Sequence, residues 1–431
     1  MINFFSDSRI VITQRASQAF FGFLTALLLI KYVPPRELGF YYAFVNLVSI
    51  YSFLDFGLVG LLVQISSRYF SLLSIRRVIS GARESQDFLA IMRWLDAYYT
   101  KLAFIFLLLI PIGILYFISS KSNQGELFWI EPWVVLVIFV SFSIRINPML
   151  SVLEGIGKIR ETYLLRFLAV LSGSLISWIL IVMGHPLFAA GAMPASLFLL
   201  GYIVIKRNYS FIFFQHKSKK NSVKKKWKTE IFSQQLKNVP IFIASNLFLT
   251  GPTLIAFYLN GPEIAGRLGL TLVFFNMISL IASSSITSKI PRITKLISIN
   301  STRFAINFFL SNFNKTLLFN FIGYLIFILI ITYMNHPLIS NRFLEAHEML
   351  LIAISSFINQ LIYLLNVYFR SKATQIMVWQ YFLSTLIGLI LGFYFGQKYG
   401  SFGILASMAL IYCVICLPFC YIFFLKIVSQ R

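Results

Sequence analysis

Four ionisable residues fall inside long apolar stretches of this chain: Arg15, Asp55, Arg145 and Arg166. A charged side chain at the centre of a membrane helix costs about 2.5–3.5 kcal/mol on insertion scales, so such residues snorkel, pair, or face a wet interior. Depth separates the four. Arg166 is about three residues inside its segment and can reach the headgroups; Arg15 is about five residues in; Arg145 is near the middle, too deep for easy escape. Asp55, in Leu54-Asp55-Phe56-Gly57, has a shorter reach and must pair with an arginine, take up a proton or lie near the cytoplasmic end. Arginine forks suit phosphate oxygens, and a membrane carboxylate is a candidate for ion coupling.

Neutral polar residues accompany these charges at helical period. Gln14, Arg15, Gln18, Gly22 and Thr25 share one arc of the first segment. Asn246, Thr250 and Thr253 align beside Gly251-Pro252, Asn276 with Ser279, Ser283 and Thr287, and Asn359 with Ser355, Tyr363, Asn366 and Arg370. Serine and threonine alone would be read as glue between helices. Asn and Gln on several helices, with arginines nearby, point to a hydrated, positively biased central cavity. Its candidate substrate-binding residues are Arg15, Arg145, Gln14, Gln18, Asn246, Asn276, Asn359 and Asn366, with Asp55 as the candidate coupling residue.

The elements that position them follow from composition. Of 431 residues 58% are hydrophobic and 12% charged, against about 25% charged in soluble domains. Apolar stretches of about 20 residues recur throughout, long enough to cross roughly 30 Å of hydrocarbon. Because lipid offers the backbone no hydrogen bonds, such continuous stretches are helices rather than barrel strands. The expected spans are 10–31, 40–63, 102–118, 132–153, 163–183, 187–205, 239–259, 267–288, 316–334, 349–369, 376–396 and 402–425. The fold class is therefore all-α and polytopic, with about twelve transmembrane helices. The first segment carries Gln14, Arg15 and Gln18 and no small-residue cleavage site follows, so it reads as a retained helix rather than a signal peptide.

A net charge of +23 would suggest nucleic acid in a soluble protein; here it marks topology, and no nucleic-acid partner is expected. With the N-terminus inside, 28 of the 37 Lys and Arg lie in inside segments, 6 outside and 3 within helices. Positive residues stay in the cytoplasm, which puts both termini there. External loops are short, roughly a dozen residues or fewer, too short for an enzyme's external site, so no catalytic role is expected. Cys413, Cys416 and Cys420, at helical spacing in the last apolar segment, read as small apolar filler; no metal or cofactor is expected.

A basic loop at 206–238 divides the helices six and six, giving an N-terminal lobe at 1–205 and a C-terminal lobe at 239–431. The stretch from Lys217 to Lys228 within it is a solvated topology signal that also touches anionic lipid. An even count inserts both halves in the same direction, as in parallel-repeat transporters. An echo accompanies the division: Pro34-Pro35-Arg36-Glu37-Leu38-Gly39 follows the first helix, and Gly261-Pro262-Glu263-Ile264-Ala265-Gly266 follows the seventh.

Pro35-Arg36-Glu37-Leu38-Gly39-Phe40-Tyr41-Tyr42 resembles a Pro-x-Glu-Leu-Gly-Tyr-Tyr pattern, and Asp55-Phe56-Gly57-Leu58 with Gln64 resembles an Asp-x-Gly-Leu…Gln pattern. Both patterns are those of the Wzx-type O-antigen flippases, in the multidrug/oligosaccharidyl-lipid/polysaccharide exporter superfamily. The motifs cover about a sixth of the chain; length and helix count match throughout. The resemblance implies two six-helix lobes around a central cavity opening alternately to each side of a bacterial inner membrane. It implies an undecaprenyl-pyrophosphate-linked oligosaccharide as the substrate moved to the periplasmic leaflet, with other polysaccharide-assembly membrane proteins as possible associates. On that expectation Arg15 and Arg145 hold the pyrophosphate. With the cytoplasm negative, export of a divalent anion gains about 4–5 kcal/mol per 100 mV. The alternatives are a multidrug or metabolite antiporter of the same superfamily, which would favour anionic sites, and a membrane-embedded transferase or polymerase, which needs an acid/base constellation absent here.

Overall fold

The computed structural model describes residues 2–51, 62–63, 66–67, 83–120, 127–213, 226–287, 289–298, 302–333, 341–371 and 377–429. Asp55, most of the 40–63 span and most of the Lys217–Lys228 run lie outside the described residues. Everything regular within them is helical. Nine described helices are long and apolar enough to cross a membrane, and the chain is a multi-pass, all-helical membrane protein.

The main helices are α1 (Ile2–Tyr32), α2 (Pro35–Val48), α3 (Arg83–Leu107), α4 (Leu109–Ser119), α5 (Ile130–Gly155), α6 (Ile159–Val182) and α7 (Pro186–Asn208). They continue with α8 (Lys226–Asn260), α9 (Pro262–Thr287), α10 (Ile290–Ser298), α11 (Thr302–Tyr333), α12 (Ala346–Ser371), α13 (Val378–Ile411) and α14 (Leu417–Val428). At Gly400, between the expected spans 376–396 and 402–425, φ of 61° and ψ of −145° interrupt α13, a conformation open to glycine and costly for other residues. A five-residue π turn, Tyr412–Cys416, joins α13 to α14, with the Leu417 N–H reaching back to the Tyr412 carbonyl. Pro418 has no N–H to give the carbonyl four residues earlier, which is a natural place for the helix to widen.

Two boundaries correct the sequence expectations. The span expected at 102–118 is apolar from Trp94 and belongs to a helix starting at Arg83. Pro111 cannot donate to the Leu107 carbonyl, and the helix breaks at Leu108, whose N–H turns to the Ile105 carbonyl at 3.0 Å. The span expected at 316–334 begins at Thr302, its basic first turns lengthening the helix beyond the apolar stretch.

The chain divides into two compact units. Unit 1 holds the described residues of Met1–Pro34, Leu47–Ser119 and Asn123–Val239. Inside it α5 is the most enclosed helix, with Trp133, Val137 and Leu150 wholly buried. Trp133 donates its indole N–H to the Ile110 carbonyl at 3.2 Å, and Ser141 its hydroxyl to the Ala103 carbonyl at 2.8 Å. These bonds satisfy polar atoms that lipid would leave unpaired, and they tie α3 and α4 to α5.

Unit 2 holds the described residues of Pro35–Asn46, Ser120–Ser122 and Pro240–Arg431. Its core is aromatic and aliphatic, with Phe248, Phe309, Ile362, Tyr368, Met408 and Tyr412 among its members. The early segment 35–46 packs into this unit through the echo seen in the sequence. A Cβ on Gly39 would sit 1.8 Å from the Pro262 carbonyl oxygen, and one on Gly266 would sit 3.1 Å from the Pro35 carbonyl oxygen. The two motifs therefore touch reciprocally, the glycine of each against the proline of the other. Phe40 stacks edge-on against Phe257 at 5.0 Å between ring centroids.

A second feature of unit 2 is a polar ladder between α9 and α11. Lys289 reaches Asn312 at 2.5 Å, Ser285 meets Thr316 at 3.0 Å, and Ser279 meets Tyr324 at 2.5 Å. On α11 these residues recur every four positions, one face of a helix, and Asn312, Thr316, Asn320 and Tyr324 are all buried.

Candidate functional site

Unit 2 encloses a cavity of about 350 Å³, at the lower end of the range for small-molecule sites. Three helices and the start of a fourth line it. From α8 come Ser245, Phe248 and Leu249; from α9, Asn276, Ser279 and Ser283; from α12, Ser356, Asn359, Gln360, Tyr363 and Asn366; and from α13, Tyr381. Among the described residues that line it, none is an acid, a lysine or an arginine.

The hydrogen bonds sort these polar groups by what they have left to offer. Ser245 and Ser279 donate their hydroxyls to backbone carbonyls four residues earlier, at 2.8 and 2.9 Å. Ser283 does the same to the Leu280 carbonyl at 3.1 Å. Their donor capacity is used inside the helix, and lone pairs remain for a ligand, except that one on Ser279 is taken by the Tyr324 hydroxyl. Tyr381 donates to the Asn359 side-chain oxygen at 2.7 Å, which leaves the NH2 half of that amide for other partners. Gln360 Nε2 and Asn366 Nδ2 are buried with no hydrogen-bond partner among the described residues.

Asn276, Asn359 and Asn366, expected from the sequence, thus converge on one cavity. Asn246 does not line it; its NH2 donates to the Phe242 carbonyl within α8 at 3.1 Å. Gln360, Ser356, Ser245 and Tyr381 line the cavity and were not anticipated. Gln360 adjoins Asn359 in sequence, and a pair of adjacent amides covering a wide arc of one helix was the available signal. Tyr381 had none, since its contribution depends on how α13 packs against α12.

Unit 1 holds the expected charged residues. Arg145 is not a free cation in a wet cavity. Its Nε and terminal nitrogen lie 3.0 and 2.8 Å from Asp96 Oδ1, in a cleft of about 10 Å³ walled by Met92, Leu95 and Tyr99, which has no room for more than a single water. Arg166 is likewise paired, 3.0 Å from Glu154 Oε2, with its guanidinium 5.1 Å from the centre of the Tyr163 ring. Tyr163 donates to the other Glu154 oxygen at 3.0 Å.

Arg15 is exposed, and its charge reaches Tyr163. Its neighbour Gln14 is buried and donates to the Gln18 side-chain oxygen at 3.2 Å. The face of α1 that carries Thr25 packs on α6, where the Trp178 indole donates to the Thr25 hydroxyl at 2.9 Å. At the end of α7, Tyr209 hydrogen-bonds Glu161; burial first, then that bond and the carboxylate charge, push the Tyr209 phenol well above its ordinary value. Among the described residues no cluster of His, Cys, Asp or Glu could hold a metal. Cys416 and Cys420 are buried, and Cys416 accepts from Gln380 at 3.4 Å.

No protein-family model and no curated protein matches the chain. Solved structures do. An inward-facing multidrug resistance MATE family transporter of the MOP superfamily is similar at a TM-score of 0.63 and 12% identity, covering 97% of this chain and 98% of that one. The lipid II flippase MurJ in an inward closed conformation gives 0.64 at 12% identity, over 98% of this chain and 90% of that chain. A MOP superfamily transporter from Pyrococcus furiosus, described as having a binding pocket of reverse polarity, gives 0.55 at 12% identity, over 98% and 94%. At such identity the likeness speaks of fold alone, and it spans nearly the full length: the chain has the fold of MOP superfamily membrane transporters.

Proposed function

We propose that the protein is a flippase that moves an undecaprenyl-pyrophosphate-linked oligosaccharide from the cytoplasmic to the periplasmic leaflet of a bacterial inner membrane. The observation that carries this reading is the unit-2 cavity, whose lining sets amides and hydroxyls among apolar side chains and holds no acid, lysine or arginine among the described residues. A lipophilic cation finds no counter-charge among the described lining residues, and a desolvated charge is costly without one. A glycan, which is neutral, polar on its edges and apolar on its faces, finds hydrogen-bond partners and packing there.

The two units take different parts of the task. Unit 2 reads sugar. In unit 1 the exposed Arg15 contacts the diphosphate, its planar fork matching phosphate oxygens. Arg145, tied to Asp96, serves the packing of α3 on α5. Asp55 remains the candidate for ion coupling; Asp55→Asn transporting normally across a range of external pH would end that role. The membrane potential suffices as a driving force for a divalent anion, and other polysaccharide-assembly membrane proteins are natural associates.

The test is reconstitution of the purified protein in proteoliposomes loaded with a fluorescent polyprenyl-diphosphate oligosaccharide, scored by access of an external lectin. Protein-dependent appearance of glycan in the opposite leaflet supports the proposal. An inert response to that lipid, together with proton- or sodium-driven expulsion of cationic dyes, would replace it with the antiporter.

A further inference from the structure

We infer that α10 and the first half of α11 form a docking site for the headgroup of an anionic phospholipid in the cytoplasmic leaflet. The site is on the outside of unit 2, apart from the cavity, and does not depend on the flippase reading. Charge is the first observation. From Ile264 to Leu344 the sequence holds Arg267, Lys289, Arg292, Lys295, Arg303, Lys315 and Arg342, and not one Asp or Glu. In unit 1, Arg145, Lys158 and Arg166 each reach a carboxylate. Lys289, Arg292 and Lys315 have no carboxylate partner among the described residues. Their counter-charge is therefore solvent ions or a bound anion, and the geometry decides between them.

The fold holds these cations on one face. Ile293 of α10 is wholly buried in the unit-2 core and Ile297 packs against it, which turns Arg292 and Thr294 outward, both exposed. The Arg292 guanidinium lies 4.7 Å from the centre of the Phe308 ring on α11, a cation–π contact that gives the side chain a direction. Along α11, Phe304, Phe308, Ser311, Lys315, Phe319 and Ile322 fall within one arc of about 80°. All but the half-buried Phe308 are exposed. Phe308 and Lys315 are separated by about 10 Å of helix rise, with Ser311 between them, so two long cationic side chains bracket one hydroxyl. Beyond Lys315 the stripe turns apolar, with Leu318 61%, Phe319 53% and Ile322 44% exposed.

Three kinds of anion could meet the cations, and the apolar end of the stripe separates them. Inorganic phosphate suits the charges and has nothing for Phe319 or Ile322. Nucleic acid or an acidic protein reaches the charges from the cytoplasm and stops where α11 enters hydrocarbon. An anionic phospholipid fits both ends in one molecule. Its phosphate oxygens accept from the Arg292 guanidinium, the Ser311 hydroxyl and the Lys315 ammonium, while its acyl chains run along Leu318, Phe319 and Ile322. A zwitterionic lipid brings the same chains, but its own ammonium cancels the net attraction to a basic surface.

The test titrates the purified full-length protein in detergent with dioleoyl phosphatidylglycerol or with phosphatidylethanolamine of the same chains, and counts retained lipid by native mass spectrometry. Phosphatidylglycerol should be retained about fivefold better, and the double variant Arg292→Gln with Lys315→Gln should bring the two lipids within about twofold. Equal retention in the unaltered protein overturns the inference. So does a preference that survives in the double variant, which would place the lipid at another basic segment. Both positions are exposed, so the lipid-free double variant should melt at the temperature of the unaltered protein. Where it does not, Arg292→Lys and Lys315→Arg, which keep the charge, should retain the preference, and Lys315→Glu alone should lose it; the reverse order counts against the site. Glycerol 1-phosphate, the anion without chains, should not displace the lipid at millimolar concentration. Full displacement by it would assign the stripe to a soluble anion instead.

Discussion

Arg145 in unit 1 and Gln360 in unit 2 are both polar side chains on apolar helices, and they are treated in opposite ways. Arg145 is held 2.8 Å from a carboxylate, whereas the Gln360 amide N–H is buried without a partner. Arg166 follows the first pattern, through Glu154, and Asn366 the second. A polar group that is satisfied internally stabilises packing and has little left for a ligand. One that is buried and unsatisfied costs stability, and a protein keeps it where binding later repays the deficit. Beside the unit-2 cavity the difference marks the groups left open to a ligand; away from it, buried groups such as Thr253 and Asn320 are also without a partner among the described residues.

Substitutions should divide along the same line. The largest expected effect is that of Gln360→Leu: transport of the lipid-linked glycan falls tenfold or more, while the melting temperature stays level or rises, since about 1 kcal/mol of unpaired amide cost is removed. A lower melting temperature with unimpaired transport would place Gln360 among the structural groups. Next is Arg15→Gln, for which we expect a several-fold loss of transport rate that raising the salt concentration partly masks, as exposed charge interactions are screened. A rate that does not change at low salt would remove Arg15 from diphosphate contact.

Smaller again is the effect of breaking the Asp96–Arg145 pair. Arg145→Ala should cost about 1–2 kcal/mol, less than a fully buried pair because both side chains are partly exposed. The double variant with Asp96→Ala should recover part of the loss in a thermal melt; strict additivity would mean that the two charges do not couple. Smallest is Tyr209→Phe, below about 1 kcal/mol near neutral pH. Because the Tyr209 phenol is raised in the folded protein, its contribution is complete below the ordinary tyrosine value of about 10 and is lost as pH rises beyond it. The difference between Tyr209→Phe and the unaltered protein should therefore shrink only in strongly alkaline buffer, and a difference constant through that range would contradict the linkage.

Much of this architecture is legible from hydropathy and turn chemistry. Gly184, Gly261 and Gly400, which fall between expected spans, all take positive φ. The partner of Arg145 was not legible, because Asp96 lies among Arg83, Asp87, Arg93 and Lys101, a charge density that starts the expected span only at 102 although its helix is apolar from Trp94. The site was half legible. Helical period puts Asn359 and Asn366 on one face, but it misplaces Asn246, whose amide is spent on its own backbone. It is also blind to Tyr381, since period describes one helix and a cavity is made by several. The polar ladder of α11 escaped for the opposite reason: Asn312, Thr316, Asn320 and Tyr324 are diluted by phenylalanines at the positions between them, so the stripe is invisible to average hydropathy.

The reciprocal contact of Gly39 with Pro262 also bears on when the molecule can be completed. Pro262 follows Gly39 by 223 residues, so at 5–20 residues per second a ribosome reaches it about 10–45 s later. Through that interval the segment 35–46 has no Pro262 or Gly266 to pack against, although the helices of unit 1 are already being made. Two separately translated halves, divided in the basic loop, would face the same problem without a shared chain to solve it: the second would lack the Pro35–Asn46 and Ser120–Ser122 segments of its own unit, and they would have to be supplied by the first.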